Sequence, residues 1–72
     1  MFHSNIKEIM GRKGITLRKL VELSEVSKQT IVKARSDSGI SECRLSTLGR
    51  IANALEVPLK DLFEGEYQAP KA

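Results

Sequence analysis

The sequence predicts an all-α fold, five short helices packed as one bundle. Three observations predict it. Apolar residues recur at the 3.6-residue period. No long run alternates apolar and polar residues, and the β-branched residues are scattered. Thr16 and Ser27, both good N-cap residues, set off two short helical segments in succession.

Phe2, Ile6, Ile9, Met10 and Lys13 fall on one stripe, and Gly11 and Gly14 mark the end of a first helix. Thr16 opens a second helix, with Leu20, Val21 and Ser24 on its inner face. Glu25-Val26-Ser27 interrupts the pattern, and a third helix spans about Ser27 to Arg35. Ser36-Asp37-Ser38-Gly39 reads as a loop by composition. A fourth helix starts within Ser41–Leu45 and ends near Glu56, with Leu48, Ile51, Ala52 and Leu55 as its apolar stripe. Gly49 costs that helix ~1 kcal/mol relative to alanine, which suggests a close helix approach there. Pro58 starts a short fifth helix, with Leu59, Leu62 and Phe63 inward and Gly65 closing it. Residues 1–65 are assigned to one domain and 66–72 to a flexible C-terminal tail.

With 72 residues, one core is the expectation. Cys43 is the only cysteine, read as a bystander thiol in a reducing compartment. No stretch reaches the ~18 apolar residues of a membrane helix, and no signal-peptide run opens the chain. A soluble, cytoplasmic protein is expected. A single histidine, His3, leaves no basis for a metal cluster or a catalytic triad. There is no phosphate loop and little room for a substrate pocket, so neither an enzyme nor a cofactor is expected.

The net charge of +3 is unevenly spread. Residues 1–50 hold ten Lys/Arg against five Asp/Glu, whereas residues 51–72 hold two against four. Positive charge thus gathers around Thr16 to Arg35, as a polyanion-binding face requires. Two short helices on either side of a three-residue turn have the spacing of a helix-turn-helix, whose second helix enters the major groove.

At about 100° per residue, Lys28, Gln29, Val32 and Lys33 share one arc of the third helix. Ile31 and Ala34 lie opposite with Ser27, and Thr30 sits at a border. Glutamine can bond adenine bidentately, lysine can donate to guanine O6 and N7, and valine can touch a thymine methyl. Taken singly, such exposed residues are ordinarily just solvated. Four on one arc of this particular helix point to base readout.

The sequence resembles the phage-repressor (Cro/CI, XRE-like) helix-turn-helix proteins over about Ile6 to Glu64. The residues that carry the resemblance are Ile6-Lys7-Glu8-Ile9, Lys13-Gly14-Ile15-Thr16, Leu20 and Val26-Ser27-Lys28-Gln29-Thr30-Ile31. It continues through Thr47-Leu48, Ile51-Ala52-Asn53-Ala54-Leu55 and Val57-Pro58-Leu59-Lys60-Asp61-Leu62-Phe63. The resemblance implies a lambda-repressor-like bundle of five helices in which positions 28, 29, 30, 32 and 33 face DNA. It implies that the loop from Asp37 to Arg44 touches phosphates, with Ser41 and Arg44 the best candidates, and that two copies, paired through the last helix and tail, bind a two-fold operator. Several positions depart from the family pattern. Leu17 stands where relatives have a phosphate-binding glutamine, Val21 where they have alanine, and Glu25 where they have glycine. Ser24 and Ala34 are smaller than usual, and about two residues lengthen the loop before the fourth helix.

The expected function is sequence-specific binding of double-stranded operator DNA by a transcriptional repressor or regulator. Lys28, Gln29, Thr30, Val32 and Lys33 are the expected base contacts. Arg12, Lys13, Thr16, Arg18, Lys19, Ser27, Arg35, Ser41 and Arg44 are the expected backbone contacts. A homodimer is expected, with Leu59, Leu62, Phe63 and Tyr67 as its patch. The plainer reading of the first three is that they close the monomer core. The competing function is an antitoxin-like or anti-repressor interaction module on the same fold, with Leu17 and Val32 in a protein contact.

Overall fold

The computed structural model describes residues 2–65. The elements run β1 (Phe2–Ser4), α1 (Ile6–Lys13), α2 (Leu17–Ser24), α3 (Lys28–Ala34), α4 (Asp37–Ile40), α5 (Leu45–Leu55), a 3-10 turn (Leu59–Leu62) and β2 (Phe63–Gly65). Five α-helices enclose one core, as expected, but they are not quite the expected five. The flexible tail assigned to residues 66–72 lies outside the described residues.

Local chemistry explains most boundaries. Gly14 ends α1 at φ 66, in the left-handed region glycine adopts without strain. Its N–H donates to the Gly11 carbonyl, and Ile15 N–H donates to that of Met10. The Thr16 hydroxyl accepts from Lys19 N–H at 3.1 Å and opens α2. Ser27 does the same for α3, accepting from Thr30 N–H at 3.3 Å. Leu20, Val26, Ile31, Ile51 and Leu55 bury their side chains at the centre of the bundle. Leu17 and Val21 are half-buried and pack against that core, so Leu17 serves packing.

Four features differ from the sequence reading. First, Ser36–Gly39 is not loop. The Ser36 hydroxyl accepts from Gly39 N–H at 3.0 Å and caps the short helix α4, whose Ile40 is buried. The polar residues that suggest a loop are also those that cap helices. Second, Phe2 lies on a strand rather than a helix stripe. β1 pairs antiparallel with β2, Phe2 opposite Gly65 and Ser4 opposite Phe63. The Phe2 and Phe63 rings meet edge-to-face across the diagonal, 5.6 Å apart. Third, the fifth expected helix is a single 3-10 turn, and Gly65 belongs to β2 instead of closing a helix. Fourth, a Cβ at Gly49 would meet nothing within 4 Å, so that glycine serves no close approach.

Candidate nucleic-acid interface

The recognition face begins with two residues that point inward. Ile31 and Ala34 have no exposed surface and hold α3 against the core. With that stripe fixed, the helical period turns the other side of α3 outward. Lys28, Gln29, Val32 and Lys33 are exposed and Thr30 is half-buried at the border, as the sequence arc requires. Val32 keeps 49% of its surface in solvent.

α2 braces α3 through the Glu25–Ser27 turn. Glu25 ends α2 at φ 58 and donates its N–H to the Val21 carbonyl at 3.0 Å. Ser24, small and buried, donates its hydroxyl to the Leu20 carbonyl at 2.6 Å and accepts from Val26 N–H at 3.2 Å. A larger apolar residue could do neither, so serine here ties the turn to the end of α2. Ala34 leaves its carbonyl open to the Ser4 hydroxyl at 2.7 Å, and that bond fastens β1 to the last turn of α3.

The expected backbone contacts occupy several places. Thr16, Arg18 and Lys28 line one open hollow of α2 and α3 together with Leu17, Val21 and the acid Glu22. Lys19 is exposed beside Glu22, 4.0 Å away on the same helix. Arg12 and Lys13 are exposed in the last turn of α1. Arg12 lines a separate groove with Lys60, Asp61 and Glu64, not the hollow of Arg18 and Lys28. Arg35 is half-buried at the end of α3. Arg44 is exposed at the start of α5, where its side chain makes no capping bond.

All three hydroxyls in the set already have structural partners, that of Thr16 through its cap on Lys19 N–H. Ser27 Oγ lies 2.8 Å from Thr30 Oγ1 in addition to its cap. Ser41 Oγ donates to the Ser38 carbonyl at 2.9 Å. Among the proposed dimer residues, Leu62 is fully buried and cannot form a surface patch. Leu59 and Phe63 are half-buried against the core, and Tyr67 lies outside the described residues.

The sequence reading missed two acids beside this face. Glu42 places Oε2 3.3 Å from Lys33 Nζ. Asp37 accepts from Ser4 N–H at 2.9 Å and lies 3.1 Å from His3 Nδ1. The Ser4 N–H, and to a lesser degree His3, hold the Asp37 carboxyl below its ordinary range. The hydrogen bond and charge of Asp37 raise His3, with a smaller contribution from Glu8. Burial pushes the Cys43 thiol up, which makes it a poor nucleophile.

No helix among the described residues is long and apolar enough to cross a membrane. No group of three His, Cys, Asp or Glu residues is placed to hold a metal ion among them. Searched against curated proteins, the chain has no match. The family model for the Cro/C1-type HTH DNA-binding domain matches residues 5–67. That match spans nearly the whole fold, from the residue before α1 to beyond β2. The family is one of DNA-binding domains and not of enzymes. Helix order, the braced α3 and the family match agree: the chain belongs to the Cro/C1-type helix-turn-helix DNA-binding domains.

Proposed function

We propose that this protein binds double-stranded operator DNA sequence-specifically in the cytoplasm and regulates transcription, most simply as a repressor. The observation that carries the reading is the two-sided α3, with Ile31 and Ala34 locked inward while Lys28, Gln29, Val32 and Lys33 stand in solvent. α3 enters the major groove, where Gln29 pairs with adenine, Lys28 and Lys33 donate to guanine, and Val32 meets a thymine methyl. Thr30, at the border, reaches a base or a phosphate. Arg18, Lys19, Arg35 and Arg44 hold the phosphates that set the register, with Arg12 and Lys13 at the outer edge.

A single module of this size buries only ~600–1,000 Å² on DNA, so a homodimer on a two-fold site supplies the remaining affinity. Selection of bound duplexes from a random pool tests the reading. The expected product is a two-fold motif whose half-site centres lie ~34 Å apart. Failure to enrich any motif would overturn sequence-specific binding. Steep weakening with salt is expected of phosphate contacts. Binding to a protein through an apolar patch would respond little.

A further inference from the structure

Lys33 stands on the base-reading face, yet it is not an unaccompanied cation, because its ammonium lies 3.3 Å from the Glu42 carboxylate. Both side chains are more than half exposed, at 51% and 67%. Such a pair adds little stability. Its placement is nevertheless built into the backbone. Ser36 N–H and Oγ both donate to the Lys33 carbonyl, at 3.2 and 2.8 Å. Gly39 passes so close that a Cβ there would collide with the same carbonyl oxygen. From Gly39 the chain turns through Glu42 N–H to Gly39 O at 3.1 Å and Cys43 N–H to Ile40 O at 3.2 Å. The backbone between Lys33 and Glu42 is thus held by hydrogen bonds, and the two side chains meet from that frame.

Resting on the reading of α3 as the DNA-reading helix, we propose that Glu42 is a specificity-determining residue: it converts Lys33 from a phosphate-binding charge into a base-reading hydrogen-bond donor. The pair is neutral as a unit, so it offers little attraction to a phosphate, and the carboxylate repels an approaching phosphate oxygen. The ammonium has three donors, and Glu42 occupies one. The others remain for the uncharged O6 and N7 of a guanine. Glu42 therefore lowers affinity for DNA in general more than for the correct site. It acts through Lys33 and is a positioning residue.

Anisotropy titrations test this with two probes, a random-sequence duplex and the duplex enriched from the pool, over about 50 to 200 mM salt. Wild type, Glu42→Gln, Lys33→Met and the double variant are compared, and thermal melts verify that each is folded. Glu42→Gln should tighten random-duplex binding about two- to fivefold and steepen its salt slope by about 0.9, one additional phosphate contact. The enriched duplex should gain less, so the preference falls. In the Lys33→Met background the Glu42 substitution should leave the preference unchanged. Equal gains on both duplexes, or the same loss of preference without Lys33, would overturn the proposal while leaving α3 as the reader. Loss of the starting preference from wild type, or no effect of Lys33→Met on either probe, would remove the reading of α3 and the proposal with it.

Discussion

Glu25 and Glu56 each take φ 58, a left-handed backbone that costs a residue with a Cβ about 1–2 kcal/mol. Both end helices by C-capping, and glycine would do so without strain. Glu56→Gly should stabilise the fold by about 0.5–1 kcal/mol, net of glycine's greater unfolded-state entropy. Gly49→Ala should add ~1 kcal/mol, because the site is helical and open. Urea unfolding measures both, and destabilisation by either would contradict the backbone described. On α3, Gln29→Ala should weaken binding by ~1–3 kcal/mol at one operator position and relax the base preference there. Arg44→Ala should instead weaken all duplexes alike and reduce the salt slope. Competition between the enriched and random duplexes separates the two effects.

Among the secondary-structure elements, those with local instructions could be read from the chain. Thr16 and Ser27 cap because their hydroxyls reach an N–H three residues ahead, an interaction sequence alone contains. Gly14 and the apolar stripe of α5 are equally local. β1 and β2, each three residues long, are too short to show alternation. Their pairing joins the two ends of the described chain, Phe2 with Gly65 and Ser4 with Phe63, which no local pattern contains. Phe2 stands at helical spacing from Ile6 and Ile9, so periodicity placed it on the wrong element. On the reading face, the exposed arc of α3 followed from its period. Glu42 did not, because its meeting with Lys33 depends on α4, and α4 depends on the Ser36 cap.

Asp37, which joins α4 to β1 through Ser4 N–H and His3, makes a pH prediction. His3 titrates above its ordinary 6.5 and Asp37 below its ordinary 3.8. The contribution of His3 is complete below the unfolded value and is lost as pH rises through the folded one. That of Asp37 is complete above its unfolded value and is lost as pH falls through its depressed one. Glu8 also faces His3, and Glu64 is its partner across the ribbon. The excess melting temperature of wild type over His3→Gln should therefore be greatest between about pH 4 and 6.5 and shrink on the alkaline side. A difference that stays the same from that range to well above the raised titration of His3 would show that the ion pair contributes nothing.

The molecule as a whole divides its labour by charge and by burial. The basic excess lies in residues 1–50, which include the helix-turn-helix, and the acidic excess in residues 51–72. Such asymmetry orients a small protein before contact and makes association sensitive to salt. The core leaves no buried side-chain N or O without a partner among the described residues, so α3 rests on a fully satisfied scaffold. With Ile31 and Ala34 seated in that core, one helix face carries all four exposed side chains outward.

Amide NMR of the labelled protein, titrated with the enriched duplex, tests that arrangement most directly. The largest shifts in α3, with smaller ones at the phosphate contacts from Arg12 to Lys19 and at residues 37–44, and the Gln29 side-chain amide moving on binding, are the expected result. A response concentrated elsewhere, with the Lys28–Lys33 amides unchanged at saturation, would contradict the account.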